Sequence, residues 1–454
     1  MSSLKKLAIR GSIWTIFSYG ATQLLRLASN LILTRLLVPE LFGMMALVST
    51  FITGLQMFSE IGVGPNIIRN PRGNEPDFYN TAWTIQVIRG FCLWLCSLLI
   101  SWPLAIFYHQ PQFLWLIPIV GFSTVIAGFN STGLSALNRK MALGKLTLFE
   151  LGIQVTSLTV MLILAKLKPT IWALVIGNLV SAILKMIISH RLLPEIKNRF
   201  AWEAEAKKDL ISFGRWIFVS TAMLFLASQS DRLILGRLLS LPTLGVYTVA
   251  LTFADLPRQI GAALSFKVVF PVVSRYVNEG SEVLRLKILP KRKQIVIGLG
   301  FLLSLLACFG DFLITKLYSY QYHDAAWMLP ILALGIWPTI LFQMSNPLLI
   351  AIGKPVYGAA AQSAKLFYMV VFLPLAFHKM GVFGAIIAIA LNDIPSYLAV
   401  AYGMEREKST IIYDDLQITV LLITFIIIVL AVRFYVGLGL PIDSLGNLRG
   451  SKAL

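Results

Sequence analysis

Charge is scarce in this chain of 454 residues: Asp, Glu, Lys and Arg make up 13%, about half the share in a typical soluble domain. Cysteine is limited to Cys92, Cys96 and Cys308, and histidine to four residues. So little charge excludes soluble, disordered and fibrous chains, and so few cysteines exclude a disulfide-rich secreted scaffold. The histidines (His109, His190, His323, His378) lie far apart, at loops or span ends, without the spacing of metal ligands. Cys92 and Cys96 share a helix face at i, i+4 inside an apolar run, which reads as buried packing rather than a bridge or a metal site. No GxxxxGK[ST] segment occurs, so ATP hydrolysis on this chain is not expected. Acidic residues number 21 against 39 Lys and Arg, for a net charge of +18. In a soluble protein that surplus would suggest nucleic acid. Here it belongs to loops facing cytoplasm and anionic lipid, and no nucleic-acid partner is expected.

What the chain has in abundance is apolar sequence: 57% hydrophobic residues and a mean hydropathy of +0.78. A membrane-crossing helix needs about 20 such residues. Thirteen candidate spans follow: 11–37, 41–66, 81–107, 113–137, 146–167, 170–190, 211–239, 244–272, 294–319, 326–350, 356–377, 381–403 and 416–437. Val38-Pro39-Glu40, Asn70-Pro71-Arg72-Gly73, Lys168-Pro169 and Gly353-Lys354-Pro355 mark joints between them. Only 191–210 and 273–293 are sizeable polar connections, which leaves no room for a soluble domain. The basic start (Lys5, Lys6, Arg10) followed by an apolar run has the outline of a signal peptide. Its part in an internal repeat argues that it is a retained span.

With the N-terminus placed inside, the inner loops hold 22 Lys and Arg and the outer loops before the last span hold four (Lys166, Lys168, Lys316, Lys379). The excess of inner positive charge sets the orientation, with the N-terminus expected in the cytoplasm. A thirteenth complete crossing would leave the following residues outside.

Residues 4–43 align with 206–245 at an offset of 202, with 13 of 40 positions identical. Leucine matches carry little weight in apolar helices. Lys5/Lys207, Lys6/Lys208, Trp14/Trp216, Arg35/Arg237 and Gly43/Gly245 in one register carry more. A repeat of six spans returns the chain to the same side, so the copies are parallel and related by an axis along the membrane normal. The expected fold is all-α and polytopic: a six-helix lobe at 1–200, a second at 201–405, and an extra transmembrane segment and tail at 406–454. An enzyme has no need of this symmetry, whereas a transporter alternating access between two lobes does.

Leu31-Ile-Leu-Thr-Arg35-Leu-Leu-Val-Pro39-Glu-Leu-Phe-Gly43 resembles the first-hairpin signature of the polysaccharide transporter family. That family belongs to the multidrug/oligosaccharidyl-lipid/polysaccharide flippase superfamily. Asp231-Arg-Leu-Ile-Leu-Gly236-Arg, with Gly245-Val-Tyr, is similar to the second-lobe signature. Ser135-Ala-Leu-Asn-Arg-Lys, Trp172-Ala-Leu-Val-Ile-Gly177 and Phe270-Pro-Val-Val-Ser274-Arg also fit. The resemblance covers about residues 5–405 and implies a Wzx-type, MATE-like fold. It also implies a flippase of undecaprenyl-diphosphate-linked oligosaccharides, working with membrane lipids and other polysaccharide assembly proteins. Members have twelve or fourteen spans, against thirteen here.

Ionisable side chains inside a bilayer cost several kcal/mol and generally face a cavity or a partner. Arg26, Arg89, Arg258 and Lys365 fall at membrane depth and are the candidate substrate-binding residues. Arginine offers bidentate geometry to the oxygens of a lipid diphosphate. The competing reading pairs each with a local carboxylate; Asp255 and Arg258 at i, i+3 can form an intrahelical salt bridge, and Pro257 between them can kink the span. Lys185 and Arg215 lie nearer span ends, within reach of water. Arg35 and Arg237 suit a structural role at outer helix ends. No cofactor is expected. The family resemblance suggests coupling to a proton or Na⁺ gradient, with Glu60, Glu150, Asp255, Asp311 and Asp393 as candidate coupling carboxylates. Tyr108, Tyr318, Tyr320 and Tyr322 on outer loops either stack on sugars or serve as packing. Two other functions compete: a drug/cation antiporter of the same fold, which calls for an acidic site, and a membrane enzyme of glycan assembly, which calls for a large outer loop. Mid-depth cations outnumber anions and the outer loops are short, so a non-enzymatic flippase is the preferred reading.

Overall fold

Helices account for every regular element of the computed structural model, which describes residues 20–60, 62–140, 142–265, 269, 289–407, 411–441 and 443. The readings of Lys5, Lys6, Arg10 and the 273–288 part of the second polar connection lie outside these residues. Among the described residues, eight helices are long and apolar enough to cross a membrane, or nine if one bent pair counts as a single span. The protein is therefore a multi-pass membrane protein. All thirteen expected segments are largely helical where described, with breaks inside some, the fourth, eighth and twelfth among them, but several fall outside that count for identifiable reasons. The first begins outside the described residues, the eighth breaks at Asp255, and the eleventh and twelfth run together.

Two compact units make up the chain, Met1–Phe225 and Leu226–Leu454. The first contains α1 (20–36), α2 (Pro39–Phe58), α3 (Val63–Arg69), α4 (Pro76–Phe107), α5 (Phe113–Gly128), α6 (Gly133–Arg139), α7 (Leu143–Leu167) and α8 (Ile171–Leu192). Helix α9 (Ala204–Leu238) contains the division between the units. The second unit continues with α10 (Leu241–Ala254), α11 (Leu256–Leu264), α12 (Leu289–Leu317), α13 (Ala325–Ala351), α14 (Val356–Leu391), α15 (Ile394–Arg406) and α16 (Ile412–Tyr435). The sequence boundary at 200/201 and the packing boundary differ by about 25 residues. The connection after α8 explains the difference, because it lies along α4. Arg199, Ala201 and Glu203 donate backbone N–H groups to Asn80 Oδ1, Thr84 Oγ1 and Thr81 Oγ1, each at 3.0 Å. Arg72 adds an ion pair to Glu203 at 2.5 Å, and Thr221 of α9 donates to the Met57 carbonyl at 2.7 Å. The base of α9 thus packs with the first unit.

The repeat is visible in helix ends. Helix α1 stops at 36 and α9 at 238; α2 starts at 39 and α10 at 241, both at the offset of 202. The fourth span of each repeat is the hub of its unit. In the first, α5 packs on α4, α8 and α2; in the second, α13 packs on α12, α14, α15, α10 and α11. Lipid tails are as apolar as leucine, so close packing of small residues does much of the joining. A Cβ added at Gly90 of α4 would stand 2.7 Å from the Thr124 carbonyl oxygen and 3.3 Å from Gly128 Cα of α5. At Gly381, φ is 60°, and this left-handed residue separates the two arms of α14 where the eleventh and twelfth spans were expected to part. Leu99, Phe367 and Ile427 leave most of their surface uncovered, as a hydrocarbon environment permits.

Helix α16 is fastened to α12 at both ends. Arg292 donates to Asp415 Oδ1 and Oδ2 at 2.6 and 3.0 Å, and to Ser345 Oγ at 2.9 Å; Tyr397 adds its hydroxyl to Asp415 at 3.0 Å. Arg433 donates to both carboxylate oxygens of Asp311 and to the Cys308 carbonyl. Asp415 and Arg433 are 18 residues apart, ~27 Å along a helix, close to the thickness of a hydrocarbon core. The order is basic then acidic on α12, acidic then basic on α16, so the two run parallel. The thirteenth segment is therefore long enough to cross, and runs in the direction of the ninth span. Cys92 and Cys96 depart from expectation: both are exposed on α4 rather than packed, and only Cys308 is buried. An outward helix face in lipid is satisfied by small soft side chains as readily as a core is.

Candidate functional site

A polar cavity of about 590 Å³ opens within the first unit. It exists because the fourth span is broken. Helices α5 and α6 meet at a bend of 61° across 129–132. Backbone groups freed in this way are tolerated at membrane depth only where protein or cavity water satisfies them. Gln86 Nε2 donates to the carbonyls of Ala127, Gly128 and Asn130 at 3.3, 3.0 and 3.2 Å. Ser131 N–H donates to Ser189 Oγ at 2.9 Å, and His190 Nε2 lies 2.9 Å from the Phe129 carbonyl. Asn198 donates to Thr132 Oγ1 at 2.7 Å and accepts from the Ser131 hydroxyl at 2.8 Å. Asn130 Oδ1 is buried and has no hydrogen-bond partner among the described residues.

Two sequence candidates meet on the cavity wall. Arg89 Nη2 lies 3.1 Å from Glu60 Oε2 and also donates to the Gln56 carbonyl at 2.7 Å, while Nε donates to Ser59 Oγ at 2.9 Å. Glu60 in turn accepts from Gly62 N–H at 2.8 Å. Lys185 of α8, which the sequence placed near a span end, borders the same cavity and is exposed. Serine, threonine and amide side chains supply most of the remaining polar wall. The charge on this wall is two cations to one anion.

The second unit pairs its candidates differently. Helix α10 stops at Ala254, Asp255 occupies the joint, and α11 restarts at Leu256 with Pro257 in its first turn. This is the break expected of a proline with no N–H to offer. Arg258 forms a two-pronged ion pair with Asp255, and Gln259 Nε2 donates to Asp255 Oδ2 at 3.0 Å. Asp231 accepts from the buried Tyr247 hydroxyl at 2.5 Å. Lys365 Nζ lies 2.7 Å from Asp393 Oδ1, and Thr339 of α13 donates to Asp393 Oδ2 at 2.6 Å. Asp393 is the joint between α14 and α15, so this pair also sits at a broken helix.

The remaining candidates separate. Arg26 is exposed on α1 and Glu150 is exposed on α7. Asp311 belongs to the α12–α16 clamp, where Arg433 occupies both of its oxygens. Of the outer tyrosines, Tyr108, Tyr318 and Tyr322 are buried, in edge contacts with Phe51, Phe253 and each other, which excludes their stacking on sugars; Tyr320 alone of the four is exposed. Sequence reading overlooked Gln86, Asn130 and the Arg292–Asp415 pair. The complementary charge order in the ninth and thirteenth spans was the available signal for the last. No cluster suited to a metal ion occurs among the described residues.

The chain is 23% identical over 274 residues to the succinoglycan biosynthesis transport protein ExoT of Rhizobium meliloti (strain 1021), covering 60% of this chain and 55% of that protein. The match thus spans about half of that relative's length. Among solved structures, the lipid II flippase MurJ in an inward closed conformation is similar at a TM-score of 0.68 and 15% identity, with 92% of each chain covered. An inward-facing multidrug resistance MATE family transporter of the MOP superfamily is similar at a TM-score of 0.66 and 16% identity, covering 85% of this chain and 94% of that one. These likenesses establish an all-α membrane fold shared with those transporters, as the sequence implied. The family model for polysaccharide biosynthesis protein matches residues 32–327. The match takes in well over half of the chain, which belongs to the polysaccharide biosynthesis protein family.

Proposed function

We propose that this protein is a flippase that moves undecaprenyl-diphosphate-linked oligosaccharide repeat units across the bacterial cytoplasmic membrane for surface polysaccharide assembly. The observation that carries the reading is the first-unit cavity, whose wall holds two cations, Arg89 and Lys185, and one carboxylate, Glu60, among hydroxyl and amide groups. A lipid diphosphate must shed hydration to cross. Fixed cations offset that loss, and polar side chains replace water around the sugars. A drug/cation antiporter would require the opposite balance of charge. The transport function named for the succinoglycan relative supports the same direction.

The chain acts as a transporter rather than an enzyme, with the N-terminus in the cytoplasm and the two sequence repeats alternating access. A proton or Na⁺ gradient drives it. Glu60, Asp255 and Asp393 are the carboxylates whose pairing can be exchanged during turnover, since each lies at a helix break or cavity wall beside one basic group. Deleting the gene should remove surface polysaccharide and leave lipid-linked repeat units accumulating on the cytoplasmic side. Normal export in the deletion strain, with no other flippase present, would defeat the proposal.

A further inference from the structure

Two cations share the first-unit cavity, and the structure separates their roles. Arg89 has its charge countered by Glu60 and its donors directed at Ser59 Oγ and the Gln56 carbonyl. Lys185 has none of this. It is exposed on the cavity wall and makes no ion pair among the described residues. Ser181 and Asn178 lie one and two turns earlier on the same face of α8, both lining the cavity. Asn130 also lines the cavity at the helix break, with its Oδ1 buried in the wall and without a hydrogen-bond partner among the described residues. An uncompensated ammonium beside hydroxyl and amide side chains on an open cavity wall suits an anion that carries hydroxyls.

We infer that Lys185 is the phosphate-contacting cation of this cavity. It takes the diphosphate of an isoprenoid-linked sugar, and Ser181 and Asn178 address the sugar hydroxyls next to it. Arg89 is a positioning residue: it holds the 56–60 turn and Glu60 in place through three bonds. This assignment deepens the flippase reading and rests on it. A lysine that merely reached for water would be interchangeable with any polar side chain, whereas a phosphate contact requires the charge.

The test uses the full-length protein in nanodiscs of neutral phosphatidylcholine, titrated calorimetrically with inorganic pyrophosphate, farnesyl diphosphate and uncharged farnesol. Wild type should bind the first two and not farnesol. Lys185→Gln should weaken both by about ten-fold or more, Lys185→Arg should retain most of the affinity, and Lys168→Gln, at an exposed lysine past the end of α7, should change nothing. Discs containing phosphatidylglycerol distinguish a bulk-lipid site, because competition by that headgroup would reassign the cavity to ordinary lipid. Absence of pyrophosphate binding by wild type, or wild-type affinity in Lys185→Gln at equal thermal stability, overturns the assignment. Pyrophosphate binding through Lys185 in a protein that fails to flip lipid-linked oligosaccharide would remove the flippase reading and leave the anion site standing.

Discussion

Asp415 and Arg292 face each other with two hydrogen bonds, 2.6 and 3.0 Å long, and each side chain is only 1% exposed. Breaking a fully buried pair leaves an uncompensated charge and costs about 3–5 kcal/mol. Asp415→Asn is therefore expected to lower the thermal stability of the purified protein and its abundance in membranes. The exchange of both residues, Arg292→Asp with Asp415→Arg, should recover part of the loss. An Asp415→Asn protein as stable as wild type would show that the pair holds nothing together.

The parallel course of α12 and α16 carries a prediction about sidedness. In a cysteine-free background, Tyr413→Cys and Tyr435→Cys, both at exposed positions, should react with an impermeant thiol reagent from opposite faces of the membrane. Reaction of both from one face would mean that α16 turns back before crossing.

Arg258 and Asp255 present a choice between substrate contact and a purely local pair. The arginine side chain is 39% exposed and the aspartate 15%, which leaves the guanidinium open to a second partner. Arg258→Ala is expected to abolish export at normal abundance, and Arg258→Lys to retain part of it, because charge survives while the bidentate geometry is lost. Polysaccharide output normalised to membrane protein level is the measurement. Wild-type output from Arg258→Ala would reduce the pair to a helix-joint salt bridge.

Gly90 tests the close approach of α4 and α5. A methyl group there meets a backbone carbonyl at 2.7 Å, so relief requires the helices to part. Gly90→Ala should destabilise the protein by about 1–3 kcal/mol, read as a lower midpoint of thermal unfolding. Because Arg89 adjoins this contact, weaker pyrophosphate binding should accompany it. An unchanged midpoint would mean that the helices separate without cost.

The sequence by itself determined the class, the approximate places of the apolar helices, and the repeat. Those properties follow from local content: twenty apolar residues make a helix wherever lipid surrounds them, and a repeat in register leaves matching helix ends at 36/238 and 39/241. It also marked Arg89, Arg258, Lys365, Glu60, Asp255 and Asp393 as unusual, because charge at membrane depth is costly wherever it is found. Partners were another matter. That Asp311 is locked to Arg433, that Arg89 is paired with Glu60 while Lys185 borders the cavity without an ion pair among the described residues, and that Tyr108 and Tyr322 are core rings were decided only by tertiary packing. The reason is one of range: helix periodicity relates residues three or four apart, whereas these pairings bring together side chains from helices distant in the chain. Which face each helix turns to its neighbours is set by close packing, and no local pattern encodes it.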